Sequence, residues 1–227
     1  RTAATSAAAA GMKAPLIART TLFGNPSRSQ GRISPDGRWL SWLAPRDGVM
    51  NVWVAPAASP SKAKPLTNER ARPLRQYFWA PDSKSILYVN DTGGDENFKL
   101  YGVDVESATQ RTLTPFDKTR ADVVAVSALV KDRILVGLNN RDPRWHDVHS
   151  LDLATGTLTL VLQNDGFGGF EADQQLNLRV AQKPRRDGGI DWFRIVDGKV
   201  EATPYRTTPM DDALTTTTVG FTADGKT

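Results

Sequence analysis

The chain has 227 residues, of which 39% belong to the hydrophobic set and 24% are charged, a balance that excludes a disordered or collagen-like protein. No stretch approaches the roughly 20 consecutive apolar residues of a membrane-spanning helix, so a soluble protein outside the membrane is expected. The net charge of +4 comes from basic residues spread along the chain, which argues against nucleic-acid binding, and the lack of cysteine excludes disulfides and thiolate sites.

The start of the chain differs in composition from the rest. Residues 1–13 are rich in alanine, and we expect them to be a disordered or processed segment that takes no part in the fold. The remaining residues, 14–227, are expected to form one all-β domain.

A short phrase recurs along this domain, with a turn containing aspartate followed by a β-type run. It occurs at residues 33–43, 79–89, 129–136 and 170–180, and begins again at 221–227. Asp36 and Asp82 are 46 residues apart. A period of this length indicates a repeat architecture rather than an irregular β domain.

Each copy of the phrase is followed by further β-type runs. Residues 51–55, 99–105, 147–153 and 191–196 alternate apolar and polar residues, and Asp197-Gly198 is a hairpin-tip dipeptide. About four short strands per ~40 to 50 residues is the pattern of a β-propeller blade. The sequence therefore predicts four-stranded antiparallel blades, about four complete and the start of a fifth. A β-sandwich also has closely spaced strands, but it does not require one turn to return at a near-constant period.

Several phrases resemble known propellers. Residues 34–38 with 51–54 resemble the blade repeat of TolB-like propellers. Residues 77–88 and 91–101, with Leu113-Thr114-Pro115, are similar to the amino-terminal propeller of bacterial prolyl oligopeptidase-family serine peptidases, particularly the acylaminoacyl and dipeptidyl aminopeptidase-like members. The resemblance covers about residues 14–227.

This resemblance implies that catalysis and the control of substrate entry belong to different domains. In that family the propeller precedes an α/β-hydrolase domain that carries the catalytic Ser, Asp and His, and it limits entry to short peptides. Here no Gly-x-Ser-x-Gly phrase occurs, and His146 and His149 are the only histidines. We therefore expect no catalytic residue and no cofactor in this chain, which resembles part of a larger product whose hydrolase domain is its partner.

Two other functions stay open at this stage. A non-catalytic TolB-like propeller that binds a protein partner would share the same repeat. A carbohydrate-active propeller would use aromatic faces, and the chain has six tryptophans. Trp39, Trp53 and Trp79 lie within or beside the repeated strands, however, which favours packing between blades.

Two polar loops hold the candidate substrate-binding residues. Asp95 or Glu96 could pair with the amino terminus of a peptide, and Arg141 or Arg144 with a substrate carboxylate. The His146-Asp147-Val148-His149 phrase suggests a metal site, but residues three apart on a strand point to opposite faces, so no metal site is predicted.

Two further expectations concern association with other chains and cellular location. A propeller interrupted within a blade exposes strand edges, so association, including with a second copy of the chain, is expected unless another surface covers them. The alanine-rich start and the family resemblance favour a periplasmic or secreted location over a cytoplasmic one.

Overall fold

The computed structural model describes residues 16–24, 26–222 and 224–225. The alanine-rich start at residues 1–13, expected to be disordered or processed, lies outside the described residues. No helix in the described part of the chain is both long and apolar enough to span a membrane.

The strands form four antiparallel sheets in chain order. A short helix, α1 (Arg19–Phe23), precedes sheet 1, which contains β1 (Ser29–Ile33), β2 (Trp39–Arg46), β3 (Val49–Pro56) and β4 (Lys64–Pro65). A 3-10 turn at Pro60–Lys62 lies between β3 and β4. Sheet 2 contains β5 (Phe78–Trp79), β6 (Ser85–Asn90), β7 (Lys99–Asp104) and β8 (Gln110–Thr112).

Sheets 3 and 4 repeat this order with one irregularity. Sheet 3 contains β9 (Ala121–Ala125), β10 (Arg133–Asp142), β11 (Trp145–Asp152) and β12 (Leu158–Leu162). Sheet 4 contains β13 (Gly169–Ala172), β14 (Leu178–Pro184), β15 (Ile190–Val196), β16 (Lys199–Val200) and β17 (Arg206–Thr208), followed by the short helix α2 (Met210–Ala213). Both β16 and β17 pair with β15, so the outer strand of sheet 4 is divided into two pieces.

The hydrophobic core lies between neighbouring sheets. Successive residues of a strand point to opposite faces, so each strand can serve two cores. On β6, Ile86 packs in the core shared with sheet 1, whereas Leu87 packs in the core shared with sheet 3. On β10, Ile134 faces sheet 2 and Leu135 faces sheet 4. This two-sided burial explains why these strands are nearly continuous apolar runs.

The repeated turn joins the first and second strands of the sheets. Gly37, Ser83 and Leu176 have φ values of 75°, 64° and 65°, so the chain reverses through a left-handed residue in three of the four sheets. Asp36 N donates to Ser83 Oγ across 3.1 Å, which ties the turn of sheet 1 to that of sheet 2. The turns therefore support both the hairpins and the stacking of the sheets.

The predicted fold class is confirmed. Four consecutive four-stranded antiparallel blades, packed face to face, are consistent with an incomplete β-propeller. The hairpin tip at Asp197-Gly198 is also confirmed. At the predicted fifth phrase, Gly225 N donates to Thr222 O across 2.8 Å in a turn, and the described residues there contain no strand.

Tryptophan packing agrees with the structural role expected of it. Trp79 is buried in the core between sheets 1 and 2, and Trp39 packs against the same core. Trp192 is buried in sheet 4, where its Nε1 donates to Thr208 Oγ1 of β17 across 2.9 Å.

Candidate functional site

A cavity of about 860 Å³ borders the first strands of three sheets. Its lining includes Ile33 at the end of β1, Phe78 and Trp79 of β5, and Ala121 of β9. In a propeller the first strands of the blades surround the central axis, and concave sites of roughly 300 to 1,000 Å³ are typical for ligands. We call this space the central cavity and treat it as the candidate functional site.

Aromatic side chains fixed by hydrogen bonds form part of the cavity wall. The Tyr77 hydroxyl donates to Gln30 O across 2.7 Å and lies 3.0 Å from Ser41 Oγ, which also accepts a hydrogen bond from Trp79 Nε1 at 2.9 Å. Burial raises the pKa of Tyr77 above its usual value. Tyr88 stacks on Tyr101 with ring centroids 5.2 Å apart. Hydrogen bonds and ring stacking therefore fix the positions of these aromatic side chains in the wall.

Four arginines and two aspartates line the same cavity. The arginines are Arg32, Arg72, Arg75 and Arg120, and the aspartates are Asp91 and Asp122. The connections that lead into β5 and β9 supply Arg72, Arg75 and Arg120, while Arg32 lies on β1. The lining thus carries more positive than negative charge.

The buried Asp91 forms an ion pair with Arg72, one of these four arginines. Its carboxylate accepts hydrogen bonds from Arg72 Nε at 3.0 Å and Glu96 N at 3.2 Å, and Arg72 Nη2 lies 2.8 Å from the same carboxylate. Burial acts to raise the pKa of Asp91, but the hydrogen bonds from Arg72 and Glu96 N outweigh it and hold the pKa below its usual value. Asp91 is therefore a charged anchor for Arg72 and for the loop that follows β6.

The predicted acidic pair lies on that loop, beside the cavity. Asp95 is exposed, and its carboxylate accepts hydrogen bonds from Asn97 N and Nδ2, both at 3.1 Å, which hold its pKa below the usual value. Glu96 is exposed and has a left-handed φ of 59°. Neither lines the central cavity, but their loop begins at Asp91 and ends at Phe98, which both do.

The two predicted arginines of sheet 3 have different surroundings. Arg141 donates to both oxygens of Asp147 at 2.7 and 2.8 Å and to Asn164 O at 2.7 Å, so its guanidinium is bound within the sheet. Arg144 is 75% exposed and pairs with Asp142 at 2.8 Å. Neither arginine lines the central cavity, and Arg144 instead borders a smaller cavity of about 270 Å³.

Neither histidine lines the central cavity, although His146 borders the smaller one. His146 Nε2 is buried and lies 3.2 Å from Asp122 Oδ2, although the geometry is not that of a hydrogen bond. His149 Nδ1 lies 3.1 Å from Asp147 O. Within the described residues, no three His, Cys, Asp or Glu side chains converge as a metal site would require.

The sequence interpretation missed the arginines of the central cavity. They are distant along the chain and occur among other basic residues, so composition alone could not distinguish them. A usable signal existed in their positions, because Arg75 and Arg120 both shortly precede the first strand of a repeat. In a propeller those positions lie near the axis.

The fold and the cavity together define a propeller module whose central cavity is basic and has aromatic walls. Proteins of similar sequence are known. No family model matches the chain. It is 48% identical over 214 residues to dipeptidyl aminopeptidase BIII of Pseudoxanthomonas mexicana, covering 93% of this chain and 31% of that protein. It is 30% identical over 190 residues to dipeptidyl peptidase family member 6 of Caenorhabditis elegans, covering 79% and 25%.

A solved structure supports the fold at lower identity. A prolyl endopeptidase, described in a study of interdomain dynamics in two such enzymes, superposes with a TM-score of 0.54 at 18% identity, covering 79% of this chain and 28% of that one. The resemblance to the amino-terminal propeller of prolyl oligopeptidase-family peptidases, predicted from the repeated phrases, is thus confirmed. The chain spans between a quarter and a third of the length of the two curated relatives.

Proposed function

We propose that this chain is the substrate-gating propeller of a serine peptidase that hydrolyses short peptides. The observation that carries the proposal is the 48% identity to a dipeptidyl aminopeptidase over 93% of the chain. The propeller acts by exclusion and orientation, because a narrow entrance admits short or flexible peptides and rejects folded proteins. Bond cleavage belongs to an α/β-hydrolase domain of the same product, which is the proposed partner of this chain.

The proposal is tested on the full-length gene product that contains this chain. A serine-directed fluorophosphonate reagent should label it, and the labelled protein should lose hydrolysis of a dipeptide attached to a chromogenic leaving group. A product that is neither labelled nor active would contradict the proposal. That result would favour a non-catalytic propeller that binds a protein partner.

The acidic pair has a proposed role in substrate orientation. Asp95 and Glu96 are exposed on a loop whose ends line the central cavity, so either carboxylate can pair with the free amine of a peptide near its entrance. Arg144, in the hairpin turn after β10, is a better candidate for a substrate carboxylate than Arg141 at the end of that strand. Arg144 is 75% exposed and pairs only with Asp142, whereas Arg141 is bound to the buried Asp147 and to Asn164 O.

Glu96→Gln tests the amine-binding role. In the full-length peptidase we expect KM for peptides with a free amino terminus to rise about tenfold, since one charge-assisted contact is lost. N-acetylated peptides should show no change. Glu106→Gln, an exposed glutamate in the turn between β7 and β8, is the matched control. An equal effect of Glu96→Gln on free and acetylated peptides would contradict the role.

A further inference from the structure

We infer that the central cavity binds a carboxylate group of a peptide, from a side chain or from the carboxyl terminus, through Arg32, Arg75 and Arg120. That the ligand is a peptide rests on the proposed function, whereas the carboxylate chemistry rests on the cavity itself. The charge balance of the lining is the first observation. Arg72 is neutralised by the buried Asp91, which leaves three arginines and one carboxylate, that of Asp122, among the other charged residues of the lining.

Asp122 does not neutralise these three. It is 48% exposed, and its Oδ1 lies 3.4 Å from Arg120 Nε, the long limit of a hydrogen bond. Its other oxygen lies near His146. Among the described residues, neither Arg32 nor Arg75 forms an ion pair. The cavity therefore contains guanidinium groups with unused capacity to bind an anion.

Two of the arginines are held in position by aromatic rings. The guanidinium carbon of Arg32 lies 5.4 Å from the centroid of the Tyr77 ring, and that of Arg120 lies 5.3 Å from the centroid of the Phe98 ring. A cation–π contact attracts the guanidinium electrostatically and does not use its N–H groups as donors to an oxygen, so those donors can still bind a carboxylate. Tyr77 is itself fixed by its hydrogen bond to Gln30 O, so Arg32 packs on a rigid ring.

The rest of the lining suits the remainder of a peptide. Phe78, Trp79 and Val123 offer apolar surface beside the charged groups. A cavity of about 860 Å³ is large enough for several residues of an extended peptide. The carboxylate can come from an Asp or Glu side chain or from the carboxyl terminus, and the guanidinium chemistry is the same for both.

Calorimetric titration of the full-length protein tests the inference without requiring hydrolysis. Four tetrapeptides serve as probes, all acetylated at the amino terminus. Ala-Glu-Glu-Ala and Ala-Gln-Gln-Ala are each made with an amidated and with a free carboxyl terminus. At low ionic strength we expect the amidated Glu peptide to bind at least tenfold more tightly than the amidated Gln peptide if side chains supply the carboxylate. If the carboxyl terminus supplies the carboxylate, the free-acid Gln peptide should bind at least tenfold more tightly than the amidated Gln peptide.

The variants locate the binding site. The double variant Arg32→Gln/Arg120→Gln should abolish the preference for the carboxylate-bearing probe. Arg133→Gln, which loses one positive charge at an exposed pair with Asp132 outside the cavity and so matches the single variant Arg75→Gln in charge, should retain it. Circular dichroism and the thermal midpoint of each variant show that the fold is intact. Arg75→Gln, whose side chain forms no ion pair with the described residues, provides a second variant should the double variant fail to fold.

Two results would overturn the inference. Equal affinity for all four probes would show that the cavity does not select carboxylates. An undiminished preference in the folded double variant, or in Arg75→Gln if the double variant does not fold, would show that the anion binds elsewhere. Both results are independent of peptidase activity. If the serine-directed reagent does not label the full-length protein, the proposed function is contradicted. The inference of carboxylate binding does not depend on that result.

Discussion

The two ends of the blades differ in how closely their turns and loops repeat from one sheet to the next. At the end where the first and second strands join, Asp36, Asp82 and Asp173 each accept a hydrogen bond from the backbone N–H two residues later, at 3.0, 2.9 and 2.9 Å. At the opposite end, the hairpin loops and the connections between sheets differ in length and in partners. Arg72 there pairs with the buried Asp91, and Arg141 with Asp147.

This difference separates structure from function. A turn that recurs in several blades meets a need that every blade has, which is to reverse the chain and contact the next sheet. The varied end supplies Arg72, Asp91 and Arg120 to the central cavity, together with the loop that holds the acidic pair. Variation on a repeated scaffold is where a specific ligand can be recognised.

The largest expected effect lies at the varied end, at Arg141. Arg141→Ala leaves the Asp147 carboxylate, which is 4% exposed, without its charged partner, and should lower the free energy of unfolding by about 3 kcal/mol. Arg144→Ala removes a pair in which the arginine is 75% exposed and should leave the free energy of unfolding nearly unchanged, because exposed ion pairs contribute little. Urea denaturation of both variants measures the difference. Equal losses would show that the pair with the buried Asp147 contributes no more to stability than the exposed pair.

The second-largest expected loss of stability lies at the end of the blades where the aspartate-containing turn repeats. The buried Asp173 carboxylate accepts hydrogen bonds from Gln175 N, Asn177 N and Arg179 Nε. Asp173→Ala leaves these donors without their acceptor and should cost about 2 kcal/mol. Asp82→Ala loses one such bond at a more exposed turn and should cost about half as much. A smaller loss in Asp173→Ala than in Asp82→Ala, measured in urea, would contradict the larger contribution assigned to the buried Asp173.

The repeats explain which features could be predicted from sequence. Turn residues and alternating strands are local signals, so the four sheets and the Asp197-Gly198 tip follow from them. The division of the outer strand into β16 and β17 has no such signal, because it depends on the path of the intervening residues. Likewise, the central cavity brings together arginines from different sheets, and only the packing of the blades decides which of them face inward.

The smallest expected effect concerns acid stability, and it compares one aspartate from each end. The Ser34 and Arg38 side chains lower the pKa of Asp36 to about 2, and the Arg144 side chain lowers that of Asp142 to about 2. Both folded values lie below the usual 3.8, so the stability that each carboxylate contributes is complete above that pH and is lost as the pH falls towards 2.

Asn variants measure these contributions. Asp36→Asn and Asp142→Asn should each show a shallower loss of stability between pH 5 and pH 2 than the unmodified protein, with roughly similar changes for the two ends. The measurement is the urea midpoint as a function of pH. A loss of stability as steep as that of the unmodified protein would contradict the pKa assignment for that residue.

The central claim is that the propeller restricts a peptidase to short substrates. The most direct measurement is kcat/KM of the full-length protein for one cleavable sequence placed in peptides of increasing length and in an exposed loop of a folded protein. The account predicts that kcat/KM falls steeply with length and that the folded protein is not cleaved. Equal kcat/KM across the series, or cleavage of the folded protein at the rate of the short peptide, would contradict it.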